Sequence, residues 1–377
     1  MQPSDRRPEE SPPVDPTEPT PDGTAGFLDA ASPAEGPALA SWQEDRRLAA
    51  DPDADVDARL ESFENIFESE IGDTSLSRAR NIEREVGIRQ LYVKFEGGNS
   101  TGTQKDRIAF AQVMDALRRG YDAITAASCG NYGVAIALAA SCAGIRCLVF
   151  VPQGYRTRRV AEIETLGAEV VRVPGDYENA VVASKERATR DEVYDANAGG
   201  ANTILQLRAY GEIAYEIYDE LRDAPAAVAV PVSNGTTLAG IHHGFVSLYR
   251  RGKTSRIPRM IAGSTFRKNP IVHSFVTGSA KCLDLNPDRV HESPINEPLV
   301  NWHSSDGQTA LDAVRGSNGW ASYASDRAMR QCARDLRERE GLSGLPASMA
   351  GLIALTDPTH RDSLSGDRYV AVVTGRG

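Results

Sequence analysis

Leu91-Tyr92-Val93-Lys94-Phe95-Glu96-Gly97-Gly98-Asn99-Ser100-Thr101-Gly102-Thr103-Gln104-Lys105-Asp106-Arg107 holds an apolar run, a glycine-rich turn and a helix start. Leu91 to Phe95 predicts a strand, and Lys105 to Arg119, closed by Gly120, predicts a helix. The lysine falls in the first helical turn, at the positive end of the helix dipole, where a cation is disfavoured. Such a placement lowers the pKa of an amine that must be neutral to attack a carbonyl. Taken alone, the same spacing also describes a surface lysine at an ordinary helix start.

Outward from this stretch, short apolar runs alternate with amphipathic ones. Strands are expected at Asp122 to Ala127, Arg146 to Val151, Glu169 to Val173, Ala226 to Val230 and Met260 to Gly263. Helices are expected at Tyr132 to Cys142, after Val151 through Leu166, at Tyr210 to Leu221 and at Leu238 to Tyr249. This order predicts an α/β fold with parallel sheets covered by helices on both faces. In such sheets ligands bind beyond the carboxyl ends of the strands.

Two further loops occupy that position. Ala127-Ser128-Cys129-Gly130-Asn131-Tyr132-Gly133 joins a strand to a helix, so its backbone N–H groups suit a carboxylate or phosphate, with Asn131 as a side-chain donor. Pro231-Val232-Ser233-Asn234-Gly235-Thr236-Thr237 offers hydroxyls and N–H groups for a phosphate monoester, without the lysine of a nucleotide-binding P-loop. A lysine, a carboxylate cradle and a phosphate cradle together point to pyridoxal 5'-phosphate rather than a nucleotide.

The chain has 377 residues, with Lys+Arg 42 against Asp+Glu 52 and a net charge of −10. Nucleic acid is disfavoured as a partner, since neutralising phosphates needs a dense basic face. The sequence lacks an apolar run of the roughly 18 residues that span a bilayer and does not open with a secretory pattern. Its five cysteines show no metal-type spacing. A cytoplasmic enzyme without a metal site is therefore expected. Residues 1–50 carry ten acidic side chains against four arginines, and nine of the 21 prolines lie before residue 40. Residues 1–55 are accordingly read as a disordered tail.

These motifs resemble those of fold-type II pyridoxal-phosphate enzymes of the tryptophan synthase beta superfamily, and among them threonine synthase. Asn99 to Arg107 is similar to N-P-T-G-S-F-K-D-R, whose lysine holds the cofactor as a Schiff base, and assigns that role to Lys105. Ser128 to Gly133 is similar to S-S-G-N-T-G. The resemblance implies that Ser128, Cys129, Gly130, Asn131 and Tyr132 clasp the substrate carboxylate and that Asn131 meets the ring oxygen. Pro231 to Thr237 resembles P-V-G-N-A-G-N, which gives Ser233, Asn234, Gly235, Thr236 and Thr237 the cofactor phosphate. Gly72-Asp73-Thr74-Ser75-Leu76 resembles G-x-T-P-L, and Pro346-Ala347-Ser348 resembles P-A-S. Val373-Thr374-Gly375 resembles V-T-G and sets Thr374 against the pyridine nitrogen.

The resemblance implies two open twisted parallel-sheet domains with the cofactor in the cleft between them. A small domain at 111–208 is inserted in a large one at 56–110 and 209–377. It also implies a homodimer acting on a small amino acid. Two positions depart from the pattern. Tyr132 stands where the family has threonine, and Gln206 stands where an arginine helps to hold the substrate phosphate, with Arg208 two positions away. Conversion of O-phosphohomoserine to threonine, or elimination or replacement on a related activated amino acid, is the activity expected. The alternatives are β-replacement on serine or O-phosphoserine, as in cysteine, cysteate or diaminopropionate synthases, and a cofactor-binding homologue without turnover.

Overall fold

A computed structural model describes residues 37–377 apart from Cys129 and Ser365. Its strands are β1 (Leu76–Arg78), β2 (Leu91–Phe95), β3 (Ala123–Ala127), β4 (Arg146–Pro152), β5 (Glu169–Val173), β6 (Tyr194–Asp195), β7 (Ala227–Pro231), β8 (Arg259–Thr265), β9 (Trp320–Ala324) and β10 (Tyr369–Val373). They form a six-stranded sheet in the order β1-β2-β10-β7-β8-β9 and a four-stranded sheet in the order β5-β4-β3-β6. Every pairing is parallel except that of β1 with β2. β3, β7 and β10 are buried along their whole length, as expected of parallel strands covered on both faces.

The order of the larger sheet sets out the chemistry. β10 lies between β2 and β7, with Val373 opposite Phe95 and Ala371 opposite Ala229. The turns leaving these three strands therefore emerge side by side, although they are far apart in sequence. Close backbone approach keeps them there. A Cβ on Gly263 of β8 would lie 1.9 Å from the Ala350 carbonyl oxygen, so only glycine lets the Ala350–Leu355 helix seat on the sheet.

Under the β2 turn lies a buried ionic cluster. Arg107 Nε is 2.6 Å from Glu96 Oε2, and its Nη1 is 2.7 Å from Glu216 Oε1. Lys94 Nζ reaches Glu216 Oε2 at 2.5 Å, and the Thr74 hydroxyl donates to Glu96 at 2.7 Å. Burial opposes the Arg107 charge, yet Glu96 and Glu216 raise its pKa above the ordinary value. Burial likewise pushes the Glu216 carboxyl up, but Arg107 and Lys94 outweigh it and hold it at about 2.

Two expectations need correction. The tail expected through residue 55 does not extend that far, because Pro37–Ala49 is helical and a second helix spans Val56–Glu70. Ala49 is fully buried beside Phe63 and Ile66, and Arg59 ties the Ala49 carbonyl to that of Ala143. A few small apolar residues supply this packing, which the acidic, proline-rich average hid. The part of the expected tail at 1–36 lies outside the described residues. The helix expected from Tyr210 begins instead at Thr203, with Gln206 and Leu207 turned into the interior.

Replacing Arg107 with methionine leaves Glu96 and Glu216 without their shared cation. The expected cost is about 3–5 kcal/mol in urea unfolding. The wild-type protein should also lose stability as pH falls from about 4.5, the ordinary glutamate value, toward about 2, because Glu216 must then take up a proton. A wild-type urea midpoint that stays flat across that window would contradict the assignment.

Candidate active site

Lys105 opens the Lys105–Arg118 helix directly after the β2 turn. The turn is shaped by its own side chains. The Asp106 carboxylate accepts from the Thr101 backbone N–H at 2.8 Å and from the Thr101 hydroxyl at 2.5 Å. Asn99 donates to the Glu96 carbonyl at 2.9 Å, and the Gln104 N–H donates to the Thr374 carbonyl at 3.0 Å. The residues flanking the lysine thus hold the turn, while the amine faces the cavity. Packed protein atoms push the Lys105 pKa down to about 8, against the opposing charge of Asp306. Burial, rather than the helix dipole inferred from sequence, is the largest cause.

Eight of the residues read from sequence line one cavity: Lys105, Asn131, Ser233, Asn234, Gly235, Thr236, Thr237 and Thr374. Asn131 starts the Asn131–Ala143 helix after β3, so the cavity draws on both sheets. Ser233 to Gly235 lead into the Thr236–Arg250 helix, whose first turn has no side-chain cap. The loop is stapled from behind, because Asn269 Nδ2 and the Ser304 hydroxyl both donate to the Ser233 carbonyl, at 3.0 and 3.1 Å. Gly235 has φ 92, and a Cβ there would lie 2.7 Å from that of Ala310. In the same cavity, Thr374 and Ser348 share a 2.9 Å hydroxyl contact.

The carboxylate loop behaves differently. Ser128 and Tyr132 do not line this cavity. The Ser128 hydroxyl accepts from the N–H groups of Gly130 and Gly133, at 3.3 and 2.9 Å. Tyr132 donates to the Ala196 carbonyl at 2.6 Å and lies 2.5 Å from Gln112 Nε2. Burial raises its pKa well above the ordinary tyrosine value, so it stays neutral. Gly130 is the residue before the helix and does not line the cavity, and Cys129 lies outside the described residues. Gln206 is fully buried and donates to Gln112 and to the Asn197 carbonyl, whereas Arg208 is exposed.

Several lining residues had not been singled out from sequence as site residues: Gln104, Pro298, Leu299, Leu345, Ala347 and Ser348. Ser348 carried a signal in Pro346-Ala347-Ser348, while Pro298 and Leu299 come from an irregular segment without periodicity. Among the described residues, no group of three or more His, Cys, Asp or Glu side chains is placed to hold a metal ion. The four described cysteines are free, with Cys142 and Cys147 buried, and burial pushes the Cys147 thiol up to about 12. An amine of lowered pKa, a helix-start N–H cradle and a neutral hydroxyl pair lining one cavity fit a phosphate-bearing aldehyde.

The sequence pattern of a family described as pyridoxal-phosphate dependent enzyme matches residues 67–375. Threonine synthase of Methanocaldococcus jannaschii is 30% identical over 317 residues, covering 81% of this chain and 75% of that protein. Threonine synthase of Mycobacterium tuberculosis is 27% identical over 310 residues, covering 81% of each. Among solved structures, a pyridoxal 5'-phosphate-dependent aspartate racemase superposes with TM-score 0.70 at 19% identity, over 84% of this chain and 94% of that one. Maize serine racemase gives TM-score 0.69 at 17% identity, over 84% and 93%.

Gly235→Ala forces a side chain into a left-handed backbone conformation and against Ala310. It should lower stability by about 1–3 kcal/mol and weaken binding of pyridoxal phosphate. Unfolding curves and a cofactor titration check both effects; an unchanged variant would mean that the cradle tolerates a Cβ.

Proposed function

The chain belongs to the pyridoxal-phosphate-dependent enzymes and is threonine synthase-like, and from that premise we propose that it catalyses elimination or replacement on an activated amino acid. The observation that carries this reading is the meeting of Lys105, Asn131, the Ser233–Thr237 cradle and Thr374 in one cavity.

Lys105, whose amine with a pKa of about 8 sheds its proton more easily than an ordinary lysine, would attach to the cofactor aldehyde and later hold or move the proton at substrate Cα. Ser233 to Thr237 would hold the phosphate with N–H groups and hydroxyls at a helix start. Asn131 would hydrogen-bond the ring oxygen and fix the ring's orientation. Thr374, tied to Ser348, would meet the ring nitrogen with a neutral hydroxyl. The bound cofactor supplies an electron sink for a carbanion beside the amino group. A hydroxyl partner leaves that sink moderate, which suits elimination or replacement at Cβ or Cγ over transamination.

The Ser128–Tyr132 loop is proposed to receive the substrate carboxylate through its backbone N–H groups and the Ser128 hydroxyl, once the unit at 111–208 closes on the remainder and the Ser128 contacts to Gly130 and Gly133 reopen. A homodimer in the cytoplasm completes the reading. Among the described residues, no helix is long and apolar enough to cross a membrane.

The substrate's leaving group is the second part of the proposal. Among the described residues, Lys105 is the sole lysine or arginine lining the cavity. Gln206 sits in a neutral buried network, and Arg208 points to solvent. Arg267 stacks on Phe266, and neither it nor Lys268 reaches the cavity. Among the described residues, no arginine lines this cavity, so a phosphate held within it would lack a guanidinium partner; Arg158, Arg159 and Arg376 line a separate cavity beside Ser100 and Thr101. Losing one charge-assisted contact costs about 1.5–3 kcal/mol, roughly a ten- to hundredfold loss of affinity.

Assay of threonine and phosphate release should accordingly show O-phosphohomoserine turned over with kcat/KM below about 10⁴ M⁻¹s⁻¹. A screen of activated serine and homoserine derivatives should find a better substrate by its spectral change. Efficient release of threonine from O-phosphohomoserine would overturn the substrate reading, and no turnover of any activated amino acid would overturn the enzymatic one.

A further inference from the structure

The cradle assigned to the phosphate carries a carboxylate of its own. Asp306 precedes the Gly307–Gly316 helix and is 5% exposed. It accepts the Thr236 hydroxyl at 2.5 Å, and its backbone N–H donates to the Asn234 carbonyl at 3.0 Å. Thr236 is both a lining residue and the first residue of the helix whose N–H groups form the cradle. An anion is thus already hydrogen-bonded to the cradle where a second, more highly charged anion is to bind.

The surrounding charges do not relieve the conflict. Among the described residues, Lys105 is the one ionisable side chain whose charge acts appreciably on Asp306. Its one positive charge faces Asp306, and a phosphate held in the cradle would have to share that single cation with the carboxylate. From the segment before the Asp306 helix, Cys282 packs on Gly307, and its thiol, pushed by burial up to about 11, is neutral. His303 is exposed and turned to Asp284 at 2.9 Å. Burial raises the Asp306 pKa from its ordinary value, against the Thr236 hydroxyl and Lys105, so the site already favours the protonated acid more than water does. A phosphate beside it adds to that preference, because carboxylates close to another anion hold their protons more tightly.

We propose that Asp306 takes up one proton from solvent when the cofactor phosphate enters the cradle. The neutral carboxyl then donates to the Thr236 oxygen, and the Thr236 hydroxyl hydrogen turns from Asp306 to a phosphate oxygen. Asp306 is a positioning residue in this scheme: it acts through Thr236 and makes cofactor capture tighten as pH falls. The proposal rests on the reading of Ser233–Thr237 as the phosphate site.

The test uses the full chain freed of cofactor and titrated with pyridoxamine 5'-phosphate, which has no aldehyde and leaves Lys105 free. Calorimetry at pH 7.5 in two buffers of different ionisation enthalpy counts the protons taken up per ligand. Wild type should take up about one proton more than Asp306→Asn. Its Kd should rise by up to about tenfold more than the variant's between pH 7 and 8, the limit for one linked proton. Asp306→Ser, which keeps a hydroxyl at the helix start, repeats the comparison if the asparagine variant folds poorly.

Equal proton counts in wild type and a folded variant would overturn the role of Asp306 while leaving the cradle intact. Failure of wild type to bind either pyridoxamine 5'-phosphate or pyridoxal phosphate would overturn the cradle itself. The readout is a proton count and a binding constant, so activity of the loaded enzyme plays no part in it.

Discussion

Everything at the site depends on one guanidinium held between a buried carboxylate, Glu96, and a partly buried one, Glu216. Arg107 is wrapped by Glu96 and Glu216, with Lys94 as the second cation that leaves the four charges balanced. Breaking such a cluster leaves an unpaired buried charge, which is far costlier than never building it. The cluster joins the end of β2, the helix that Lys105 opens and the Thr203–Leu221 helix. The turn between Glu96 and Lys105 is therefore fixed at its base, and Asp106 and Asn99 fix its interior. Asp106 and Arg107 are thus structural, which leaves Lys105 to line the cavity.

The second constraint is topological. β10 is the last strand in sequence but lies between β2 and β7 in space. Only this order brings Thr374, the Lys105 turn and the Ser233–Thr237 loop to one edge of the sheet. Each turn leaves the carboxyl end of its strand, where parallel sheets expose free N–H groups and helix starts. Asn131 arrives from the four-stranded sheet by the same rule, at the end of β3. The site is thus a consequence of strand order together with four βα or terminal turns.

Much of this could be read before any coordinates. The Gly97–Arg107 and Ser233–Thr237 stretches stand out because each is polar and small between an apolar strand and an amphipathic helix. The eight residues expected to hold a cofactor, taken from these stretches and from Asn131 and Thr374, line one cavity. Tyr132 was harder to read, since its neighbour Asn131 faces the cavity while its own ring points to Gln112 and Ala196. Successive helical residues diverge by about 100°, and a motif does not record which one turns inward. Asp306 gave no signal at all, because Ser304-Ser305-Asp306-Gly307 reads as an ordinary helix cap. Its meaning comes from Thr236, 70 residues away. The lowered pKa of Lys105 was expected, but its main cause, burial, is a tertiary property that dipole reasoning cannot supply.

The central claim is that Lys105 carries the cofactor, and a chemical label tests it most directly. The protein loaded with pyridoxal phosphate is reduced with borohydride and digested, and the pyridoxyl-bearing peptide is sequenced. The label is predicted on Lys105 alone; Lys94, buried near the same turn, should stay unmodified because Glu216 and the Thr74 carbonyl already take its amine. A label on Lys94, on Lys268 or on any other lysine, with Lys105 unmodified, would contradict the account.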